Sequence, residues 1–224
     1  MVIVRVEHVW KDYRLGNQTV HALQDVSLVV APGRFLAIAG PSGSGKTTLL
    51  NLIGCIDTPT RGDIYLGDEN VGHKTPDELA DLRARTLGFV FQTFNLLPVL
   101  TAAENVEFPL LQRKDISRRE RVARTRHYLD VVGLADKMNQ RPNELSGGQR
   151  QRVAIARALA GGPSIILADE PTANLDSKTG ESILGLMKQI NESERTTFIF
   201  STHDFRIMEM ADRVVSVADG RLNS

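Results

Sequence analysis

The chain has a single cysteine, no net charge and no long apolar run. One cysteine, Cys55, excludes an internal disulfide, and its neighbours Leu52, Ile53 and Ile56 favour an inert core thiol over a reactive one. The 27 Lys and Arg are balanced by 27 Asp and Glu, which leaves no global field to draw in nucleic acid or an anionic lipid surface. No stretch approaches the roughly 18 consecutive apolar residues of a membrane-spanning helix. Runs such as residues 165–168 are far too short. The first residues, "MVIVRVEHVW", lack the basic segment, apolar stretch and small-residue cleavage site of a secretory signal, and their alternation suits a strand. The expectation is a chain that stays in a reducing compartment and does not cross a membrane by itself.

What the sequence does hold is enough for a core. A chain of 224 residues buries roughly 70% of the surface its unfolded form exposes, which suits one domain or one core with a subdomain. Val2, Val4 and Val6 alternate with Ile3, Arg5 and Glu7, and apolar runs at 26–30, 35–39 and 64–66 are bounded by Gly, Pro or Asp, so the first part reads as strands. From about Thr93 the pattern turns helical. Thr101 with Glu104 and Ser117 with Glu120 have capping-box spacing, Val122, Leu129 and Val132 share a face, and Gly133 supplies a stop. Short apolar runs at 165–168, 196–201 and 213–218 then alternate with helical stretches, the pattern of a parallel sheet covered on both sides. The basic stretch 113–126, "RKDISRRERVARTR", has no interleaved aromatic for base stacking and reads as a solvated helix face.

Three short motifs carry the chemistry. "GPSGSGKTT", residues 40–48, sits between an apolar run and an apolar helix start and has phosphate-loop spacing. Gly40, Gly43 and Gly45, with Pro41, Ser42 and Ser44 between them, let the backbone curl so that successive amides face phosphates at a helix N-terminus. Lys46 is expected at the terminal phosphates, Thr47 at Mg²⁺ and Thr48 at a further phosphate contact. "IILADE", residues 165–170, puts Asp169 at a buried strand end, where its charge needs a metal or hydrogen bonds, and Glu170 where it can take a proton from an attacking water. Gln92 and His203 each follow an apolar run, at the strand ends where ligands of α/β sheets gather. Gln92 is expected at the metal and the water, and His203 at the γ-phosphate and Glu170. His8, His21, His73 and His127 read as structural.

A second phosphate-type turn follows in "LSGGQRQRVAIARAL", residues 145–159, with Ser146, Gly147, Gly148 and Gln149 leading a helix whose Val153, Ala156 and Leu159 face inward. The helix dipole is worth roughly 0.3 to 2 kcal/mol to a phosphate, and each charged hydrogen bond roughly 1.5 to 3. That is little against the freedom lost on binding, and the turn has no lysine. It suits the completion of a site better than the making of one.

Together, "LSGGQ", "GPSGSGKT", Gln92, "ILADEPTANLD" and His203 resemble the nucleotide-binding subunit of ATP-binding cassette (ABC) transporters, over essentially the whole chain and in the family's order. The resemblance implies an α/β fold: a P-loop NTPase (RecA-like) core, 1–92 and 161–224, an antiparallel β subdomain and an inserted α-helical subdomain, 93–160. It implies an ATPase using ATP and Mg²⁺, with two copies packed head to tail and each ATP between one copy's phosphate loop and the other's signature turn. Asp176, in "ANLDS", corresponds to the acid of the loop at that interface, and Tyr13 to the aromatic ring under adenine. "FVFQTFNLLPVLTAAENVEFPLL" and "RPNELSGGQRQRVAIARAL" look like the lipoprotein-releasing and macrolide-exporting group, with its cell-division relatives. That group works with four-helix membrane subunits bearing a large extracytoplasmic domain, which places the ATPase on the cytoplasmic face of the bacterial inner membrane. A groove near residues 92–97 and the helical insert is expected to grip the membrane partner. A soluble ABC ATPase acting on DNA, ribosomes or iron-sulfur assembly is the alternative. The 100 positions between Lys46 and Ser146 leave no room for a long coiled coil, and there is one cassette, not two. A small-molecule kinase would leave residues 145–149, Gln92 and Asp176 idle.

Overall fold

The computed structural model describes residues 2–16, 18–72 and 74–223. His73 therefore lies outside the described residues. Two sheets face each other across one short helix. Strands β1 (Val4–Leu15), β2 (Gln18–Val30), β4 (Arg61–Leu66) and β5 (Glu69–Asn70) form an antiparallel sheet in the order β2-β1-β4-β5. Strands β3 (Phe35–Ala39), β6 (Leu87–Val90), β7 (Ile165–Asp169), β8 (Thr197–Thr202), β9 (Arg213–Ala218) and β10 (Arg221–Asn223) form the second, ordered β10-β9-β3-β8-β7-β6. All neighbours in it are parallel except the edge pair β9 and β10. The helices are α1 (Lys46–Ile53), α2 (Pro76–Thr86), α3 (Ala102–Glu107), α4 (Arg118–Val131), α5 (Gly147–Ala160), α6 (Ser177–Glu194) and α7 (Phe205–Met210).

The central strands are apolar on both faces because both faces are covered. Side chains alternate across a strand, so Phe35, Ala37, Ile166, Ala168, Phe198 and Phe200 join Val153, Ala156, Ile183 and Met187 of α5 and α6 in one core. Leu36, Ile38, Ile165, Leu167 and Ile199 join Leu49 and Leu52 of α1 and the inner residues of the antiparallel sheet in the other. Phe35 anchors the first core, its ring centroid 4.4 Å from that of Phe200. Burying such a side chain contributes about 1.5–3 kcal/mol. The sheet is thereby fixed from both sides, and the loops at its carboxyl edge inherit that rigidity.

Several local expectations change. The first part is rich in strands but holds a second helix besides α1. The stretch "TPDELADLRART" forms α2 with Thr75 as N-cap, a reciprocal capping box to Glu78 and proline at its start. The signal was there in Thr75-x-x-Glu78, beside only two buried apolar residues, Leu79 and Leu82. The Thr101–Glu104 box forms in full. At α4 only half of it does: Ser117 accepts from the Glu120 amide, whereas the Glu120 carboxylate pairs with Arg124 at 2.6 Å. An arginine one turn on outcompetes a backbone donor for that carboxylate. Val122 is 36% exposed although Leu129 and Val132 are fully buried. The solvated basic face holds elsewhere on α4, where Arg118, Arg119 and Arg126 are exposed. Cys55 is buried, and desolvation pushes its thiol up to about 11, the inert state. No helix among the described residues is long and apolar enough to cross a membrane.

Candidate active site

The carboxyl ends of β3, β8, β7 and β6 meet at one cavity of about 560 Å³, which Lys46, Thr47, Gln92, Asp169, Glu170 and His203 help to line. Parallel pairing brings these ends together. The loop after β3 enters α1 through Gly45, which has φ 107° and makes no side-chain cap bond. A side chain here would be strained, and its Cβ would lie 2.6 Å from the Ala22 carbonyl oxygen. The first amides of α1 consequently face the cavity as open donors. Lys46 is only 7% exposed and donates to the carbonyl oxygens of Gly40 and Pro41, each at 2.8 Å. Its ammonium thus lies over the loop's own curl.

Asp169 ends β7 beside Thr47, whose hydroxyl lies 3.2 and 3.3 Å from the two carboxylate oxygens. Glu170 follows with φ 46°, a left-handed conformation that costs a residue with a Cβ roughly 1–2 kcal/mol. The turn separates two adjacent carboxylates into different tasks. Glu170 Oε1 pairs with His203 Nδ1 at 2.7 Å, and its amide donates to the Ser201 carbonyl at 2.9 Å. The Glu170 carboxyl is 17% exposed and the His203 ring 72%, so the pair is anchored behind and open in front. The arrangement can hold a carboxylate ready to accept a proton from water at the cavity mouth.

Gln92 follows β6 with an exposed side chain, and its backbone carbonyl accepts from Asn174 Nδ2 at 2.9 Å. Two residues further on, Phe94 and Asn95 are both left-handed, with φ 61° and 48°. Arg157 of α5 holds that kink by donating to both carbonyls, and the Arg150 guanidinium lies 5.3 Å from the Phe94 ring centroid. Tyr13, on β1, donates its hydroxyl to Asp57 at 2.9 Å.

Ser146, Gly147, Gly148 and Gln149 do not line this cavity. Ser146 caps α5 by accepting from the Gln149 amide, and Gln149 accepts in return from the Ser146 amide. The two glycines differ. A Cβ on Gly148 would run into Thr179 Cγ2, whereas one on Gly147 would meet only Leu175 at an ordinary 3.5 Å. Close packing of α5 on α6 therefore accounts for one glycine of the pair, a reason the bare motif does not display. Asp176 caps α6 by accepting from the Thr179 amide at 3.0 Å, and hydrogen bonding from the Thr179 side chain and then its amide holds the carboxyl below the usual range.

Sequence reasoning missed the residues that connect these parts. Gln151 is fully buried and donates to the Pro171 carbonyl at 2.5 Å, tying the helix of the signature turn to the residue after Glu170. Its spacing with Ala154, Ile155 and Ala158 marked it as an inward-facing polar group. Asp204 accepts from Thr172 at 3.1 Å and from Arg206, which also donates to the Ser177 carbonyl at 3.0 Å. No local pattern announces that link, because its three ends lie on separate segments.

Known proteins resemble this chain in sequence and fold. The sequence profile of the ABC transporter family matches residues 23–173. The ABC transporter ATP-binding protein MJ0796 of Methanocaldococcus jannaschii is 47% identical over 223 residues, covering 98% of this chain and 95% of that protein. The macrolide export ATP-binding/permease protein MacB of Syntrophobacter fumaroxidans is 46% identical over 98% of this chain but only 31% of its own length. Among solved structures, dimeric MJ0796 in a post-hydrolysis state bound to ADP and Pi superposes with a TM-score of 0.90 at 46% identity, covering 99% of this chain and 97% of that one.

Proposed function

Because the chain belongs to the ABC transporter family and is an ATP-hydrolysing cassette of that family, we propose that it works as a homodimer that closes around two ATP molecules and reopens on hydrolysis. One observation carries this reading. The cavity at Lys46 contains a poised Glu170–His203 pair, while the second phosphate-type turn, at Ser146, lies outside it. A second copy supplies what the first lacks. The dimeric assembly of the MJ0796 cassette supports the same arrangement.

In this reading the amides of residues 40–48 and Lys46 hold the triphosphate, Glu170 accepts the proton of the attacking water, and His203 orients Glu170 and reaches the γ-phosphate. Gln92 faces that water, Tyr13 lies under the adenine, and Asp176 faces the second copy. Ser146, Gly147, Gly148 and Gln149 of each copy close over the other's nucleotide. The Thr47 hydroxyl and the Asp169 carboxylate are adjacent hard oxygen donors of the kind Mg²⁺ takes. Bound there, Mg²⁺ would neutralise charge on the phosphates.

A groove between α2, β6 and the helical insert, 93–160, supports a finer role. A groove of about 400 Å³ runs past Leu87, Phe89, Phe91 and Phe108, the last 47% exposed. Of residues 92–97 only Asn95 lines it, so the groove sits nearer α2 and β6 than the sequence implied. An apolar groove of this kind accepts a helix of a membrane partner. MacB relatives, macrolide export proteins that join ATP-binding and permease parts, support a permease as that partner; the proposed partner carries an extracytoplasmic domain, and the proposed work is export, lipoprotein release or other far-side action. The cassette would then sit on the cytoplasmic face of the bacterial inner membrane. Glu170→Gln with saturating ATP should run as a dimer on size-exclusion chromatography. A monomer under those conditions overturns the closing-dimer mechanism.

A further inference from the structure

Lys11 is a buried cation on the antiparallel sheet, only 9% exposed. An ammonium removed from water is tolerated only when it is paired and hydrogen-bonded. Both of its hydrogen-bond partners come from the segment after α1: Asp57 Oδ1 at 2.6 Å and the Thr58 carbonyl at 2.8 Å. The Asp57 carboxylate is shared. Its Oδ1 also accepts from the Thr58 amide at 2.7 Å, and its Oδ2 accepts the Tyr13 hydroxyl at 2.9 Å.

Lys11 and Tyr13 are two apart on β1 and so lie on one face, and the ammonium sits 4.9 Å from the Tyr13 ring centroid. A base has to take the other face of the ring. The chain turns back after α1 through left-handed Cys55, with the Ile56 amide donating to the Asn51 carbonyl at 2.9 Å. The Asp57 amide also lies 3.4 Å from the Asn51 carbonyl, which holds Asp57 against that helix. The Tyr13 hydroxyl consequently reaches Asp57, on the segment that turns back along the helix begun by the phosphate loop. The ring is tied to the element that holds the phosphates, although it belongs to a different sheet.

We propose that Lys11 and Asp57 are positioning residues that hold the Tyr13 ring at a fixed place beside the phosphate loop, where it stacks on the nucleobase of ATP. This rests on the reading of Tyr13 as the base platform, and the two can be told apart. A free tyrosine on a sheet edge would sample several rotamers and lose part of the stacking to ordering. Tethered by its hydroxyl and backed by an ammonium, it presents one face without that cost.

The test compares equilibrium binding of ATP with that of inorganic tripolyphosphate, which has no base, to the full-length chain. Tyr13→Ala should weaken ATP binding by about tenfold, the scale of one base–aromatic stack, and leave tripolyphosphate unchanged. Lys11→Met, Asp57→Asn and the mild Tyr13→Phe should each weaken ATP by about three- to tenfold, again without effect on tripolyphosphate. Asp57→Asn added to Tyr13→Ala should weaken ATP no further, because the tether acts only through the ring. If Tyr13→Ala weakens ATP while Lys11→Met, Asp57→Asn and Tyr13→Phe do not, the positioning role is wrong. If they weaken ATP and tripolyphosphate equally, the pair is only a structural cross-link and the proposal also fails. If Tyr13→Ala leaves both ligands unchanged, the platform reading itself falls.

Discussion

The N-termini of α1 and α5 look alike in sequence, each a glycine-paired turn running into an apolar helix, yet the fold leaves them in opposite states. Helix α1 starts at an uncapped left-handed glycine, with a buried lysine bent over the loop. Helix α5 starts at a serine whose capping box is complete, on a turn packed against α6. An uncapped terminus with a cation is a site for an anion before any partner arrives. A capped terminus without one has spent part of its donor capacity, and binds phosphate usefully only when another surface holds most of the ligand. A similar motif, in different packing, leaves open donors beside a cation in one place and a closed capping box in the other.

That contrast can be broken at its strongest point first. Lys46→Ala should weaken ATP binding by the monomer about 100-fold, the loss of a charged hydrogen-bonding group worth about 3 kcal/mol. Ser146→Arg should leave monomer binding nearly intact but lower hydrolysis by at least about 100-fold, since an unpaired charge at a closing interface costs about 3–5 kcal/mol. Titration of ATP against each variant, followed by phosphate release, checks both. Equal loss of monomer binding in the two variants would mean that the signature turn serves its own chain's nucleotide.

Gln151→Leu is a smaller perturbation. It leaves the Pro171 carbonyl without its donor, at a cost of about 1–3 kcal/mol, and should lower the rate of hydrolysis more than the affinity for ATP. The two glycines then sharpen the contrast within the turn itself. Gly148→Ala should destabilise, because overpacking against Thr179 costs about 1–3 kcal/mol against at most about 1 gained in helix propensity. Thr179→Ser should restore most of the lost Tm by removing the clashing methyl. Gly147→Ala should leave Tm unchanged or raise it. If the signs were reversed, the packing account of Gly148 would be lost.

The mildest effect is in acid. The Thr179 hydrogen bonds hold the Asp176 carboxyl below its ordinary value in the folded chain. A depressed carboxyl contributes stability that is present above about pH 4 and is lost as the pH falls through the lower folded value. The Tm of the wild type should therefore fall faster below pH 4 than that of Asp176→Asn, which keeps a good cap without the charge. Parallel Tm profiles would show that the charge on Asp176 adds nothing to the cap.

Much of the site was readable from local pattern. Lys46, Thr47, Gln92, Asp169, Glu170 and His203 do converge on one cavity, because each follows a strand and parallel pairing gathers strand ends. Helix α2 escaped because it buries only two apolar residues, so its capping box was the one clear sign. Val122 misled because helical spacing reports which residues share a face, but not how far along the helix that face is covered. The left-handed turn at Glu170 was invisible for a different reason: a glutamate is among the last residues to suggest φ above zero.

The order of motifs by itself determined the fold class and the chemistry, since a glycine-rich loop between strand and helix, paired acids at a strand end and a serine-led turn each act through the backbone nearest to them. Only the tertiary structure decided what joins these parts. Gln151 to Pro171, Arg206 to Ser177 and Lys11 to Asp57 span from 20 to 46 positions of chain. Each is a single polar contact made obligatory by burial or by a charge that must be paired. No periodicity encodes such a contact, because its partner is chosen by which surfaces the two cores press together.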